Sequence, residues 1–246
     1  MSRNILVVGQ SHIAAIRSAA RTRRETNPEA PRTRVIHTLE ERYRPEMEGE
    51  GPDARFGPSL VETIRDQLDR HDPLFASAMG GNFHNAIALV QHERPFDFHL
   101  TGGSPLPLDE AAEPIPEALV RAALEKGIAR DLARLRRLAE FGPFIHIESP
   151  PPLRDDAAIA VQADAYFQGR GLEARGVAPA GLRWRIWRLN SRIVREAVEA
   201  LGCRFLPVPA TLCDADGFLL PHLAGDATHG NEQYGEALIR ALEAMA

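Results

Sequence analysis

The chain has 246 residues, of which 44% are hydrophobic and 26% charged, with 19 glycines and 19 prolines; this is the composition of a folded globular protein with a sizeable core, not of a disordered or collagenous one. A formal net charge of −5 argues against bulk electrostatic binding to nucleic acid or acidic membranes. Cys203 and Cys213 are the only cysteines, too few for a disulfide framework, and no apolar run approaches the roughly 20 residues of a membrane span.

The first strand is Asn4-Ile5-Leu6-Val7-Val8, ending on Gly9, and a helical apolar spacing begins at Ile13. With no basic segment, apolar core and cleavage site ahead of that strand, the expected location is cytoplasmic, with both thiols reduced. Arg34–Leu39 reads as a second strand and Glu40–Phe56 as a loop. Leu60, Val61, Ile64 and Leu68 make a helical stripe over Ser59–Leu68. Pro73–Met79 is a third strand, closed by Gly80-Gly81-Asn82. Phe96–Pro116, rich in proline, glycine and acidic residues, is predicted to cover the sheet edge as an ordered loop. One long helix follows from about Glu117 to Phe141, stopped by Gly142-Pro143. Phe144–Glu148 is the fourth strand, and a short helix is placed around Ala157–Phe167. Trp184–Leu201 is a helix ended by Gly202, Cys203–Val208 the fifth strand, Asp214–Gly217 a turn, and Glu232–Met245 the last helix.

Strands alternating with helices predict a three-layer α/β/α sandwich around a central, mostly parallel sheet of about five strands. No linker or composition break divides the chain, so residues 1–246 are expected to form a single domain. In this topology three chemistry-bearing motifs share the C-terminal edge of the sheet, where open α/β sheets bind ligands. They are Gly9-Gln10-Ser11-His12, Gly80-Gly81-Asn82 and Asp226-Ala227-Thr228-His229-Gly230-Asn231. Serine needs a base within hydrogen-bond reach, histidine titrates near neutrality, and a carboxylate fixes the histidine tautomer. Asp226 and His229, three positions apart, can be presented by one tight loop. An asparagine amide can donate to an oxyanion. Each residue also has a plainer reading: a helix cap at Ser11, a turn residue at Asn82, a capping aspartate beside a surface histidine. Zinc ligation by His222, Asp226 and His229 is weakly marked, because the spacing is irregular.

Together the motifs resemble the SGNH hydrolase superfamily, which includes the GDSL lipases and esterases. Gly9-Gln10-Ser11-His12-Ile13 is similar to the first block with its nucleophilic serine, Gly80-Gly81-Asn82 to the third, and Asp226 to Asn231, followed by Tyr234-Gly235, to the fifth. The family's usual aspartates are replaced by Gln10 and Phe83, and the second block is weakly marked, with Gly57 its best candidate ahead of Gly49 and Gly51. The resemblance implies a flavodoxin-like SGNH fold and a serine esterase with Ser11, His229 and Asp226 as triad. Its oxyanion hole would draw on the Ser11 and Gly57 N–H groups and the Asn82 amide, with no metal or organic cofactor. The expected partner is a small-molecule or carbohydrate ester with a short acyl or acetyl group; nucleic acid is not expected. His12, His84 and Trp184 are candidates to line the substrate pocket. Acyl transfer to another acceptor, or a binding protein keeping the fold without hydrolysis, are the alternatives.

Overall fold

The computed structural model describes residues 3–80 and 82–245, Pro52 without its side chain. Gly81, the middle of the second motif, lies outside the described residues. Five strands build the main sheet: β1 (Ile5–Gly9), β2 (Thr33–His37), β3 (Leu74–Ala78), β4 (Ile145–Ile147) and β5 (Arg204–Leu206). Their order is β2-β1-β3-β4-β5 and every neighbouring pair is parallel. This is the flavodoxin-like order, which places a topological switch point beside β1 and β3.

Ten α-helices accompany the strands among the described residues: α1 (Ile13–Thr26), α2 (Pro58–His71), α3 (Phe83–Ala88), α4 (Glu117–Gly127), α5 (Ala129–Ala139), α6 (Asp156–Gln162), α7 (Ala165–Gly169), α8 (Leu172–Arg175), α9 (Ala180–Ala200) and α10 (Glu232–Glu243). Alternation along the strands separates two cores. Ile5, Val7, Ala76, Ala78, Ile145 and Ile147 meet α1 and α10 on one face. Leu6, Val8, Ile36 and Phe75 meet α2, α5 and the end of α9 on the other. The sheet is therefore sandwiched between two helical layers, as the strand–helix alternation predicts.

Several local expectations change. The predicted loop 40–56 contains 3₁₀ turns at Glu41–Tyr43 and Gly51–Asp53, and Met47–Glu48 pairs antiparallel with Arg55–Phe56. The single helix predicted over 117–141 is two, α4 and α5, interrupted at Ile128. Its cause is a tertiary contact: a Cβ on Gly127 would stand 1.8 Å from the Phe83 ring, so only glycine admits that close approach. Phe83 begins α3, a helix absent from the sequence reading. The one helix placed near 157–167 is α6 and α7, each with its own aspartate cap, Asp155 and Asp164. Cys203 and Cys213 are free thiols.

The loop 96–116 is ordered by burial. Asp97 and Arg185 are 2% and 1% exposed and form a forked ion pair between the loop and α9. Asp97 also accepts from the N–H groups of Phe98 and Asp109, and Arg185 donates to Ser104, Leu106 and Pro107.

Candidate active site

β1 and β3 run level, with Gly9 opposite Ala78. A Cβ on Gly9 would approach the Ala78 carbonyl to 2.6 Å, so the glycine lets the two strand ends lie together as the chain leaves both. From β1 it enters the turn Gln10-Ser11-His12 ahead of α1; from β3 it enters Gly80 and Asn82 ahead of α3. The third segment, 224–231, arrives from the other end of the sequence. Ala224 bridges Gly230, Gly225 N–H donates to the His229 carbonyl at 2.7 Å, and Asn231 caps α10 by accepting from Tyr234 N–H.

Within that loop Asp226 is held as an acceptor. Its Oδ1 receives the N–H groups of Thr228 at 2.8 Å and His229 at 2.9 Å, and His229 Nδ1 lies 2.9 Å from Oδ2. Burial alone would raise the Asp226 pKa, but the His229 ring and those N–H donors outweigh it and hold the carboxyl at about 2. An ionised Asp226 fixes the proton of neutral His229 on Nδ1, leaving Nε2 as the basic nitrogen. That Nε2 lies 3.1 Å from the Asn82 amide nitrogen, which also donates to Thr228 Oγ1 at 3.1 Å.

The structure thus joins Asn82, Asp226 and His229 into one polar unit and sets His12 against it, the rings of His12 and His229 5.0 Å apart. Ser11 occupies the turn beside His12; among the described residues no hydrogen bond links its hydroxyl to His229. Its backbone N–H likewise has no acceptor among them, in the turn leading into α1, where unpaired donors and the helix dipole favour negative charge. Gly57 is elsewhere engaged. Its N–H donates to the Glu46 carbonyl at 3.0 Å where α2 begins, so the second-block role expected of it meets a prior partner. His84 is 2% exposed on α3 and neighbours His229 electrostatically. Trp184 is not beside these residues: it lines a separate, wider cleft.

Sequence reasoning missed what supports the turn. Gln10 donates to Glu46 at 3.2 Å, Thr38 donates to the same oxygen at 2.5 Å, and Arg134 from α5 closes on Glu46 at 2.6 Å while also meeting Asp131 at 2.8 Å. Gln10 is thus an amide resting on a buried carboxylate. No local pattern reveals it, because the partners stand 36 and 88 residues from Glu46 in sequence. Thr228 was visible in the motif but without a role; it bridges Asn82 to the Asp226–His229 pair. Among the described residues no three His, Cys, Asp or Glu side chains come together as a metal-binding group.

Two buried histidines, His84 and His146, and the half-buried His12 make the fold acid-sensitive. Burial lowers His84 to about 4, with His229 adding to it, and lowers His146 to about 3. His12 falls well below its ordinary 6.5 through burial, then through His229 and His84. Each is neutral in the fold while its unfolded counterpart takes up a proton below 6.5, so stability is full above that pH and declines as pH falls through the window toward 4 and 3. The expected slope reaches about 1.4 kcal/mol per pH unit for each histidine. Urea midpoints measured from pH 7 to pH 5 should fall, and His146→Asn should flatten the slope; midpoints independent of pH would contradict the assignment.

No protein-family model and no curated protein matches the sequence. Among solved structures, the chain is similar over its whole length to the periplasmic domain of a Salmonella ser. Paratyphi A lipopolysaccharide acetyltransferase, at 14% identity and a TM-score of 0.51, covering 84% of that chain. A protein assigned as a platelet activating factor from Streptococcus pneumonia also matches over the whole chain and 84% of its own, at 14% identity and a TM-score of 0.45. A protein assigned as an acylhydrolase from Bacteroides fragilis matches over 99% of this chain and 88% of its own, at 11% identity and a TM-score of 0.41. At these identities the likeness is one of fold: the five-stranded, parallel, three-layer α/β/α architecture.

Proposed function

We propose that the protein is a serine esterase acting on a short-chain O-acyl ester. The observation that carries this reading is the Asp226–His229 pair with Asn82 on its basic nitrogen, at the sheet edge where Ser11 ends the β1 turn. Ser11 Oγ attacks the acyl carbonyl and His229 Nε2 takes its proton, while Asp226 stabilises the imidazolium. For that step the Asn82 amide turns from Nε2 to the oxyanion, which the Ser11 N–H also faces. His229 then gives its proton to the leaving alkoxide, and water discharges the acyl-enzyme along the same path. The half-buried His12 and the buried His84, both neutral, border the reacting centre without adding charge to it.

A space of about 40 Å³ lies at the ends of β3 and β4, lined by His12, Met79, Gly80, Glu148, Asn190 and Tyr234 among others. Of the site it touches His12 and Gly80 and not Ser11, Asn82 or His229; on this reading it takes an acyl group of only a few atoms. A cleft of about 640 Å³ shares Glu148 and Ser191 with that cavity. It has room for an alcohol portion such as a sugar, or for an acceptor other than water, in which case the same residues perform acyl transfer.

A fluorophosphonate probe tests the nucleophile directly. Wild-type protein should be labelled on Ser11 and the Ser11→Ala variant should not. Well-folded wild type that resists the probe, or labelling that persists in Ser11→Ala, would overturn the reading.

A further inference from the structure

The wide cleft carries features that the acyl chemistry does not use. Trp184, Arg188, Ser191 and Arg195 recur along α9 at helical spacing and all face it. Trp187 belongs to the core: it is 5% exposed and its Nε1 donates to the Ser149 carbonyl at 3.1 Å. Trp184 meets it edge-on, ring centroids 6.2 Å apart, and its own Nε1 is buried without a hydrogen-bond partner among the described residues. Both indoles line the cleft, Trp187 buried and anchored by its hydrogen bond, Trp184 half-buried and meeting it edge-on.

The charge of the cleft is positive although the chain is net negative. Three arginines line it against two carboxylates: Asp214 has a cation outside the lining, whereas Glu148 has neutral donors and, at 3.6 Å, Arg188. Glu148 accepts from Ser191 Oγ and from Val208 N–H at 2.7 Å, and Asp214 is paired with Arg154 at 3.0 Å. Of the arginines, Arg192 is bound to Glu117 and the Thr101 carbonyl. Arg188 has only a long contact of 3.6 Å to Glu148, and Arg195 lies over the Phe205 ring at 4.8 Å with no carboxylate partner among the described residues. Two guanidinium groups, each with a planar fork of donors, thus keep capacity for an anion. The positive groups stand mid-helix, and the Gly102-Gly103 turn that also lines the cleft does not lead into a helix, which is unlike the strand–turn–helix cradle for a nucleotide phosphate.

We propose that this cleft binds an acidic pyranoside, with the sugar ring against Trp184 and its carboxylate on Arg188 and Arg195. Resting on the esterase reading, this names the alcohol portion of the substrate: an acylated acidic sugar whose ester end reaches the small cavity past Glu148 and Ser191.

The test reads binding without turnover. Trp184 and Trp187 are the only tryptophans, so Trp187→Phe in a Ser11→Ala background leaves Trp184 as sole fluorophore. Titration with trigalacturonate should change its emission and saturate, while the neutral galactotriose should bind about tenfold or more weakly, as loss of a charge-assisted contact implies. Arg188→Gln with Arg195→Gln should remove the preference for the acidic sugar. Equal binding of the two sugars, a preference that survives both arginine changes, or tighter binding of adenosine monophosphate would each overturn the proposal; because the comparison of ligands needs no arginine variant, a poorly folded variant does not shelter it. Fluorophosphonate labelling of wild type is read separately: labelling without sugar binding removes this inference and leaves the esterase, and sugar binding without labelling does the reverse.

Discussion

Replacing His229 by alanine is expected to lower kcat on a small ester by about 10⁴-fold or more, the scale on which a serine triad fails when its base is lost. The geometry sharpens this. Asp226 orients His229 through Nδ1 and, through Oδ1, also binds the N–H groups of Thr228 and His229. Asp226→Asn can keep the Oδ1 contacts, and with them the loop, while offering an amide where the ring needs an acceptor. That variant should therefore fold normally and still lose about 10⁴ in kcat through the wrong tautomer, with KM little changed. Combining Ser11→Ala with His229→Ala should be no slower than Ser11→Ala alone, because the residues act as one unit. Kinetics with p-nitrophenyl acetate read all of these. A drop of only a few fold for His229→Ala, or losses that multiply in the double variant, would remove His229 from the role of base.

The largest expected loss of stability is at Asp97. Removing its carboxylate with alanine leaves the Arg185 guanidinium buried and uncompensated, which costs about 3–5 kcal/mol, or roughly 10 °C in Tm for a chain of this size. Repulsion is not the mechanism. Arg185 keeps its carbonyl partners at Leu106 and Pro107, but nothing balances its charge, and the loop that Asp97 pins through the Phe98 and Asp109 N–H groups is released as well. A double change, Asp97→Leu with Arg185→Met, should recover part of the loss because the unpaired charge is then gone. Thermal and urea unfolding of the three proteins measure it; an Asp97→Ala variant within about 0.5 kcal/mol of wild type, the scale of a surface change, would show that the pair contributes little.

The sheet was legible because its strands are short apolar runs such as Ile5–Val8, and the helices because stripes such as Leu60, Val61 and Ile64 repeat at helical spacing. The break at Gly127 was not, because its cause is the Phe83 ring, far away in sequence and packed there only by the tertiary fold. Asp226, His229 and Asn82 could be picked out because their side chains carry chemistry that few other residue types supply. Glu46 could not: it sits in a segment whose charge and prolines look like solvated loop, yet it is 8% exposed and anchors Gln10. Gly57 was chosen by position between motifs, and position says nothing about whether a backbone N–H already has a partner. The wider cleft was half visible, in Trp184, but helical spacing does not say which arginines of α9 lack a close carboxylate, because Glu117 and Glu148 come from other elements.

The seam between α1 and α10 has a consequence in time. Ser18 and Thr22 of α1 both donate to Glu232, and Arg23 reaches Glu236 and Glu243, so the first and last helices are bound side by side. A ribosome emitting this chain delivers Ser11 more than 200 residues before His229. Until α10 docks on α1, the nascent protein holds its serine with neither base nor carboxylate. Contacts of such long sequence separation form late and slowly, so on this reading reactivity is withheld until the segment 224–243 has emerged and docked.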